Sequence, residues 1–233
     1  MRSLITRSGA LLIAIVIAGC ATVDDDMNTT TDTTTPPSNE QMTVPETVPM
    51  AVPDNPLLAE WGGSYGGVPP FDQVKVEDFE PALEYAMAEN LANVERIAAD
   101  PAPATFDNTI AALERASRRL DRASASYGVW GSTMNGPEFQ AVETRMEPRL
   151  AAFFDKINQN EALFRRIETV YNSPDKANLT PEQQRLAWLY HNNFVRAGAR
   201  LDGPAKARVS EINQKLSGLF TQFSQNVLAD END

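Results

Sequence analysis

The 233-residue sequence contains only one cysteine, Cys20, and one histidine, His191. A lone cysteine cannot form an internal disulfide, and a single histidine cannot supply the two imidazoles that most zinc-hydrolase motifs require. Basic residues are also scarce, with 20 Lys and Arg against 32 Asp and Glu, so the formal net charge is -12. Because nucleic acids are bound by clustered cations, this charge balance argues against a nucleic-acid partner.

The longest apolar run near the N-terminus is too short to cross a bilayer. It covers residues 10–18, after Arg2 and Arg7, whereas a transmembrane helix needs about 20 apolar residues. A charged start followed by a short apolar run is typical of a secretory signal. The run ends in Ile17-Ala18-Gly19-Cys20, which resembles a bacterial lipobox. In a lipobox, the cysteine thiol receives a diacylglyceryl group.

The sequence therefore predicts a lipoprotein signal peptide over residues 1–20, with Cys20 as the lipidation site. Several acyl chains hold a protein on a membrane almost permanently, because each buried methylene contributes about 0.8 kcal/mol. Ala21 follows the cysteine, where an aspartate would signal inner-membrane retention by family analogy. We predict a protein of the bacterial cell envelope, anchored to the outer membrane and facing the periplasm. A plain secretory signal with a coincidental cysteine is the alternative.

Aromatic and basic residues are absent from residues 21–55, which contain nine Thr, five Pro and seven acidic residues. Such a composition buries too little apolar surface to offset the entropy of ordering the chain. It predicts a disordered tether that separates the membrane from a folded domain over residues 56–233.

Apolar residues recur every three or four positions from Phe79 onward, and sustained alternation of period two is missing. This periodicity predicts amphipathic helices and an all-α fold. In the last helix the apolar stripe runs from Val209 to Val227. Pro148 falls within a predicted helix, where its missing N–H and its ring predict a kink or break. The predicted helices span residues 77–99, 106–133, 137–158, 160–171, 181–199 and 204–229.

Helix boundaries have their own signals. Thr180-Pro181-Glu182-Gln183 combines an N-cap threonine, proline at the first helical position and glutamine at the third, which predicts a helix start. Gly136-Pro137 and Gly203-Pro204 predict weaker starts, and Asn172-Ser173-Pro174 predicts a helix end.

Candidate catalytic features are few. The glycine-rich segment 62–67 lacks the preceding strand and following helix of a phosphate-binding loop, and Pro69-Pro70 favours a flexible turn. His191 is expected to be structural or solvent-facing, because a zinc site would have to rely almost wholly on carboxylates. Glu114 and Arg118 are spaced for an exposed ion pair on one helix face. We therefore identify no catalytic residue and no metal ligand.

Aromatic residues at helical spacing favour core packing over a peptide-binding groove. These residues are Phe106, Tyr127, Trp130, Phe153, Phe154, Trp188, Phe220 and Phe223.

Several segments, in order along the chain, resemble the N-terminal region of the thimet oligopeptidase family of zinc metallopeptidases, particularly the bacterial peptidyl-dipeptidases. The resemblance covers nearly everything from residue 55 onward. Its segments are Asn55-Pro56-Leu57-Leu58, Val68-Pro69-Pro70-Phe71-Asp72, Asp78-Phe79-Glu80-Pro81-Ala82, Thr105-Phe106-Asp107-Asn108-Thr109-Ile110, Phe194-Val195-Arg196-Ala197-Gly198-Ala199 and Phe223-Ser224-Gln225-Asn226-Val227-Leu228.

This resemblance implies the multi-helix N-terminal lobe of an elongated, two-lobed helical metallopeptidase that acts on short peptides. In that family an H-E-x-x-H helix and a later Glu hold zinc, and this sequence contains no such motif. We therefore expect zinc in the complete family protein but none in this chain. The chain is expected to be a fragment or a truncated gene product that is inactive alone. A non-catalytic helical lipoprotein that binds peptides or acts as a scaffold is the alternative.

Overall fold

A computed structural model describes residues 51–63 and 67–232 of the chain. The predicted all-α fold is confirmed for these residues, since their only β pairing is an isolated antiparallel bridge between Gly62 and Val68. A π-helical turn, Phe106–Ile110, precedes α2, and a 3-10 helix, Pro174–Asn178, follows α5. The α-helices are α1 Val76–Ala99, α2 Ala111–Ala116, α3 Arg118–Thr133, α4 Pro137–Asn158, α5 Glu161–Asn172, α6 Pro181–Arg196 and α7 Gly203–Asn232.

The segment before α1 is anchored to the folded domain at Asn55. Although Asn55 falls at the end of the predicted tether, it is buried. Its side-chain amide donates to the Asp78 carbonyl at 2.9 Å, and its Oδ1 accepts from the Leu57 N–H at 2.9 Å. Leu57 and Leu58 are almost fully buried. The folded region therefore includes Asn55, while residues 1–50 of the predicted signal and tether lie outside the described residues.

Two apolar cores lie along α1. The first half of α1, including Phe79 and Leu83, packs against α3 and α4. In the second half, Val94 belongs to a core that includes Ile110 and residues of α5 and α6. One helix therefore contributes to both cores.

The predicted helix signals are confirmed at several termini. The Thr180 hydroxyl accepts from the Gln183 N–H at 3.3 Å, and the Gln183 side chain accepts from the Thr180 N–H at 3.0 Å. These reciprocal bonds form a capping box, because each side chain satisfies a backbone donor that has no partner within the helix. Helix α4 begins at Pro137, and α5 ends at Asn172, as predicted.

The sixth helix ends earlier than predicted, at Arg196 rather than at residue 199. Gly198 has a positive φ of 94°. Its N–H donates to the Val195 carbonyl, and the Ala199 N–H donates to the Phe194 carbonyl. This pattern is a Schellman motif, in which a left-handed glycine ends the helix.

The prediction of one continuous helix over residues 106–133 was wrong. The structure divides this region into the π-helical turn, α2 and α3, with an interruption at Ser117. There the Ala116 carbonyl accepts from the Asn93 side chain at 3.3 Å, and the Ser117 hydroxyl contacts the Asp121 carboxylate at 2.8 Å. Side chains can replace backbone partners in this way at a helix break.

Of the predicted kink or break at Pro148, the break does not occur, because α4 continues through this residue. Proline removes the donor for the carbonyl four residues earlier, which belongs to Thr144. Thr144 is exposed, so solvent can satisfy that carbonyl. A proline on this side of a helix therefore does not require the helix to end.

Candidate interaction surface

Helix α7 packs against α4 through polar side chains. The Asn213 amide donates to the Asp155 carboxylate at 2.8 Å, and the Gln225 amide donates to the Gln140 carbonyl at 3.0 Å. Near the start of α7, the buried Lys206 ammonium donates to Glu161 at 2.9 Å. These contacts place a polar face of α7 on the rest of the domain.

The opposite face of α7 is apolar and exposed, and we call it the α7 apolar face. At 100° per residue its members fall within an arc of about 100° on the helix surface. Their exposed fractions range from 40% for Ile212 to 66% for Phe223. The α7 apolar face consists of Ile212, Leu216, Leu219, Phe220, Phe223 and Val227.

The sequence predicted α7 as an amphipathic helix, but five members of its predicted apolar stripe are exposed: Ile212, Leu216, Leu219, Phe223 and Val227. Among the described residues, neither core contains a residue of α7. Periodicity identifies an apolar stripe but does not reveal which face of the helix packs against the domain. In this domain, the hydrogen bonds of Asn213 and Gln225 hold the polar face of α7 against α4. The apolar face is therefore available for an interaction, since contiguous exposed apolar surface marks such sites.

Two carboxylates lie close to the α4–α7 contact. Glu143 accepts from the Asn135 amide at 3.1 Å, and Glu147 lies one helical turn further along α4. Burial raises the pKa of Glu147, an interaction with the Tyr127 hydroxyl opposes this shift, and the charge of Glu143 adds to it. These two carboxylates of α4 lie beside Tyr127 of α3 and close to α7. This position between three helices indicates a structural role for both carboxylates.

His191 is part of an aromatic stack, in keeping with the predicted structural role. Its ring lies 4.2 Å from that of Tyr171, at an interplanar angle of 12°, and 5.8 Å from that of Phe164. Burial and the positive charge of Arg200 lower the pKa of the imidazole, while Glu168 opposes this shift. The ring therefore joins α5 to α6.

Backbone pairing joins Gly62, at the start of the glycine-rich segment, to Val68, the residue that follows the segment. The Val68 N–H donates to the Gly62 carbonyl at 3.1 Å. Gly67 has a φ of +100°, and a Cβ atom there would lie 2.6 Å from the Cβ of Trp61. Glycine is therefore required at residue 67 by both conformation and space. Residues 64–66 lie outside the described part of the chain.

Glu114 does not act as the predicted exposed partner of Arg118. Its carboxylate instead accepts from the Tyr190 hydroxyl at 2.5 Å, which links α2 to α6. The helix interruption at Ser117 separates Glu114 from Arg118. Burial, followed by the hydrogen bond to Glu114, raises the pKa of Tyr190.

The aromatic residues divide into two sets. Tyr127, Trp130 and Phe153 are buried in the first core, and Phe106 packs against the second, so core packing is confirmed for these four. The prediction was wrong for the other four, which are exposed: Phe154, Trp188, Phe220 and Phe223.

The described residues do not fit a zinc site. In residues 51–63 and 67–232, no group of three His, Cys, Asp or Glu side chains is arranged to hold a metal ion. Within that same portion, no helix is both long and apolar enough to cross a membrane. The proposed lipidation site, Cys20, lies outside the described residues.

Arg166 is a buried residue that the sequence analysis did not identify. Its guanidinium donates to the carbonyls of Asp100 and Ala102 and to the side chains of Asp100 and Asn108, at 2.7–3.2 Å. It ties α5 to the connection between α1 and the π-helical turn. The available signal was a charged residue within the apolar stripe of α5, between Leu163 and Val170.

Comparisons with known proteins identify peptidases as relatives. Dipeptidyl carboxypeptidase from Salmonella typhimurium is 32% identical over 175 residues, which are 75% of this chain and 26% of that protein. The Escherichia coli dipeptidyl carboxypeptidase is 31% identical over 175 residues, again 75% of this chain and 26% of that protein. Oligopeptidase A from Salmonella typhimurium is 29% identical over 174 residues, 75% of this chain and 25% of that protein. No protein-family model matches the chain.

These relatives confirm the resemblance to the thimet oligopeptidase family that the sequence segments predicted. The chain spans about a quarter of the length of the peptidases to which it is similar. Several of the predictive segments supply core residues, among them Leu57, Phe79, Ile110 and Phe194. The resemblance therefore reflects residues that determine the packing of the helices.

Proposed function

We propose that this chain is the helical N-terminal part of an exported, zinc-dependent peptidyl-dipeptidase that releases dipeptides from the C-termini of oligopeptides. The similarity to dipeptidyl carboxypeptidases over 75% of the chain carries this proposal. The helical lobe would restrict access to short, unstructured peptides. Zinc and the catalytic residues would come from a region corresponding to the remaining length of the relatives, because the described residues offer no metal site.

The chain's contribution to catalysis would be to hold its helices in a fixed arrangement beside the catalytic region. Two apolar cores and the buried Arg166 give the lobe a defined shape. Such a shape positions a peptide without touching the reacting atoms, and misplacement of about 1 Å can lower the rate about a hundredfold. The chain alone would therefore be inactive.

A chimera tests this proposal. In Salmonella dipeptidyl carboxypeptidase, the matched 175 residues would be replaced by the matched residues of this chain, and dipeptide release from short peptides would be measured. We expect the zinc-loaded chimera to release dipeptides and the full isolated chain, supplied with zinc, to release none. The unmodified Salmonella protein is the positive control.

Two outcomes would contradict the proposal. One is a chimera that folds and binds zinc but cleaves no peptide, which would show that this lobe cannot replace its relative. The other is peptide cleavage by the isolated full chain, which would show that the chain is active alone. Zinc content and circular dichroism distinguish a misfolded chimera from an inactive one.

Export and lipid anchoring through Cys20 are part of the same proposal and rest on the lipobox-like sequence. In a bacterial host, the full chain is expected to incorporate radiolabelled palmitate and to fractionate with the outer membrane. Cys20→Ser is expected to abolish labelling, because it removes the acceptor thiol. Ser8→Ala, within the signal but outside the lipobox, serves as the control. Equal labelling of the Cys20→Ser variant would disprove the anchor.

A non-catalytic scaffold or peptide-binding lipoprotein is the second candidate function. The α7 apolar face favours it, because this surface suits an interaction even without catalytic residues. An inactive chimera in which the lobe is correctly folded would favour this candidate over the peptidase.

A further inference from the structure

His191 and Arg200 both lie beside one carboxylate oxygen, the Oε1 of Glu168 on α5. Arg200 belongs to the connection between α6 and α7, residues 197–202, and its Nη2 donates to this oxygen at 2.7 Å. The Nε2 of His191 lies 3.8 Å from the same oxygen and 3.5 Å from the Nη2 of Arg200. One acceptor therefore faces a permanent cation and a group whose charge depends on pH.

This arrangement suits a neutral imidazole. A guanidinium carries only donors, so its approach to Nε2 is favourable when that nitrogen offers a lone pair. Protonation gives both ring nitrogens a hydrogen atom and gives the ring a positive charge, so the contact with Arg200 becomes repulsive. Burial, followed by the charge of Arg200, lowers the pKa of the imidazole. The neutral form therefore predominates at pH 7, since an unperturbed histidine has a pKa of about 6.5.

We infer that Glu168 exchanges Arg200 for His191 as its hydrogen-bond partner when His191 is protonated, and that this exchange releases the connection between α6 and α7. In the protonated state the Nε2–H of His191 donates to Glu168, and the Arg200 side chain turns to solvent. Arg200 is the cation that leaves, because its side chain is 57% exposed, whereas that of His191 is 14% exposed. The exchange therefore couples the pH to the segment that leads into α7.

The charges around His191 favour this exchange. In the described part of the chain, the titratable and charged groups that face the ring are Glu168 and Tyr171 of α5, Lys176 of the 3-10 helix and Arg200 of the connection. The Lys176 ammonium lies 4.1 Å from the centroid of the Tyr171 ring. Protonation of His191 would therefore place three positive charges around one carboxylate. Movement of Arg200 into solvent relieves this repulsion, because water screens an exposed charge.

The aromatic stack holds the imidazole in place during the exchange. The centroid of its ring lies 4.2 Å from that of Tyr171 and 5.8 Å from that of Phe164, with both pairs stacked. Aromatic faces attract cations, so these neighbours remain favourable when the ring is charged. The movement therefore falls on Arg200 rather than on His191.

Release of Arg200 affects the turn that follows α6. The Leu201 N–H donates to the carbonyl of Gly198 at 3.0 Å, and the hydrogen bond of Arg200 to Glu168 attaches this turn to α5. Without that attachment, the turn opens more often, and the Leu201 amide hydrogen exchanges with solvent faster. This inference does not depend on the proposed peptidase function.

An NMR titration of the full chain tests the exchange. His191 is the only histidine, so a single imidazole signal reports its protonation. We expect the Arg200 guanidinium signals to change with the same midpoint as the imidazole signal. Below that midpoint the Leu201 amide is expected to exchange about two- to fivefold faster than in His191→Gln at the same pH, as loss of a partly exposed ion pair would produce. Circular dichroism at each pH establishes that the fold is retained.

Arg200→Met tests the competition directly. Removing the competing cation is expected to raise the midpoint of His191 by about half a pH unit or more. The Leu201 amide of this variant should exchange fast on both sides of the midpoint, because the attachment to α5 is already lost. Arg208→Met is the matched control, since Arg208 pairs with Glu211 instead, and it should behave like the parent chain.

Three results would overturn the inference. The first is an Arg200 guanidinium whose signals stay constant while His191 titrates, which would show that both cations remain on Glu168. The second is Leu201 exchange that does not depend on the protonation of His191 in the parent chain. The third is an equal midpoint in Arg200→Met and Arg208→Met.

Discussion

Phe79→Ala is expected to lower the free energy of unfolding by about 3–5 kcal/mol, the range for removing a buried phenylalanine. Phe79 is fully buried. Its ring lies edge-on to Trp130 and Phe139, with centroids 5.3 Å and 5.1 Å away. Alanine would leave a cavity and remove both aromatic contacts, which favour this edge-on geometry. Urea denaturation of the full chain would measure the change.

Phe154→Ala is the matched control, because it removes the same atoms from a side chain that is 44% exposed. We expect the free energy of unfolding to fall by less than about 1 kcal/mol, since nearly half of this side chain is already in contact with solvent. Similar losses for both variants would contradict the assignment of Phe79 to the centre of the first core.

Arg166→Met is expected to lower the free energy of unfolding by about 3 kcal/mol. The substitution keeps much of the apolar stem but leaves the Asp100 carboxylate and the carbonyls of Asp100 and Ala102 without their donor. Removing one partner of a buried charged pair typically costs about 3–5 kcal/mol. Because Asp100 is partly exposed, we place the expected loss at the lower end of this range. Thermal and urea unfolding would measure it.

The neighbouring residue on α5 supplies the control. Arg165 is 70% exposed, and its nearest contact with Glu161 is at 4.0 Å. Exposed ion pairs contribute about 0–1 kcal/mol, so Arg165→Met is expected to have little effect. If Arg166→Met were as mild as Arg165→Met, the hydrogen bonds of Arg166 would contribute little to stability.

The helical class and most helix boundaries were predictable because their causes are local. The capping box at Thr180 and the proline after Gly136 determine helix starts through neighbouring residues. The interruption at Ser117 was not predictable in this way, since the Asn93 side chain that binds the Ala116 carbonyl comes from another helix. Long-range partners of this kind leave no local signal.

The candidate interaction surface was only half predictable. The spacing of Leu216, Leu219 and Phe223 correctly indicated an apolar helix face, but burial of that face was an assumption. The opposite face carries Asn213 and Gln225, whose amides find partners on α4. A side-chain amide stabilises a helix contact only where it finds a hydrogen-bond partner. Because the partners lie on another helix, the sequence did not reveal which face would pack against the domain. Arg166 was missed for the same reason.

The position of α1 has a consequence for how the domain loses its structure. Phe79 and Leu83 lie in one core, and Val94 lies in the other, on a single continuous helix. Disordering either core destabilises α1, and the other core also depends on α1. The stabilities of the two cores are therefore coupled. The domain should therefore melt in one cooperative transition around α1, while α7, which contributes no residue to either of the described cores, can detach at lower free energy.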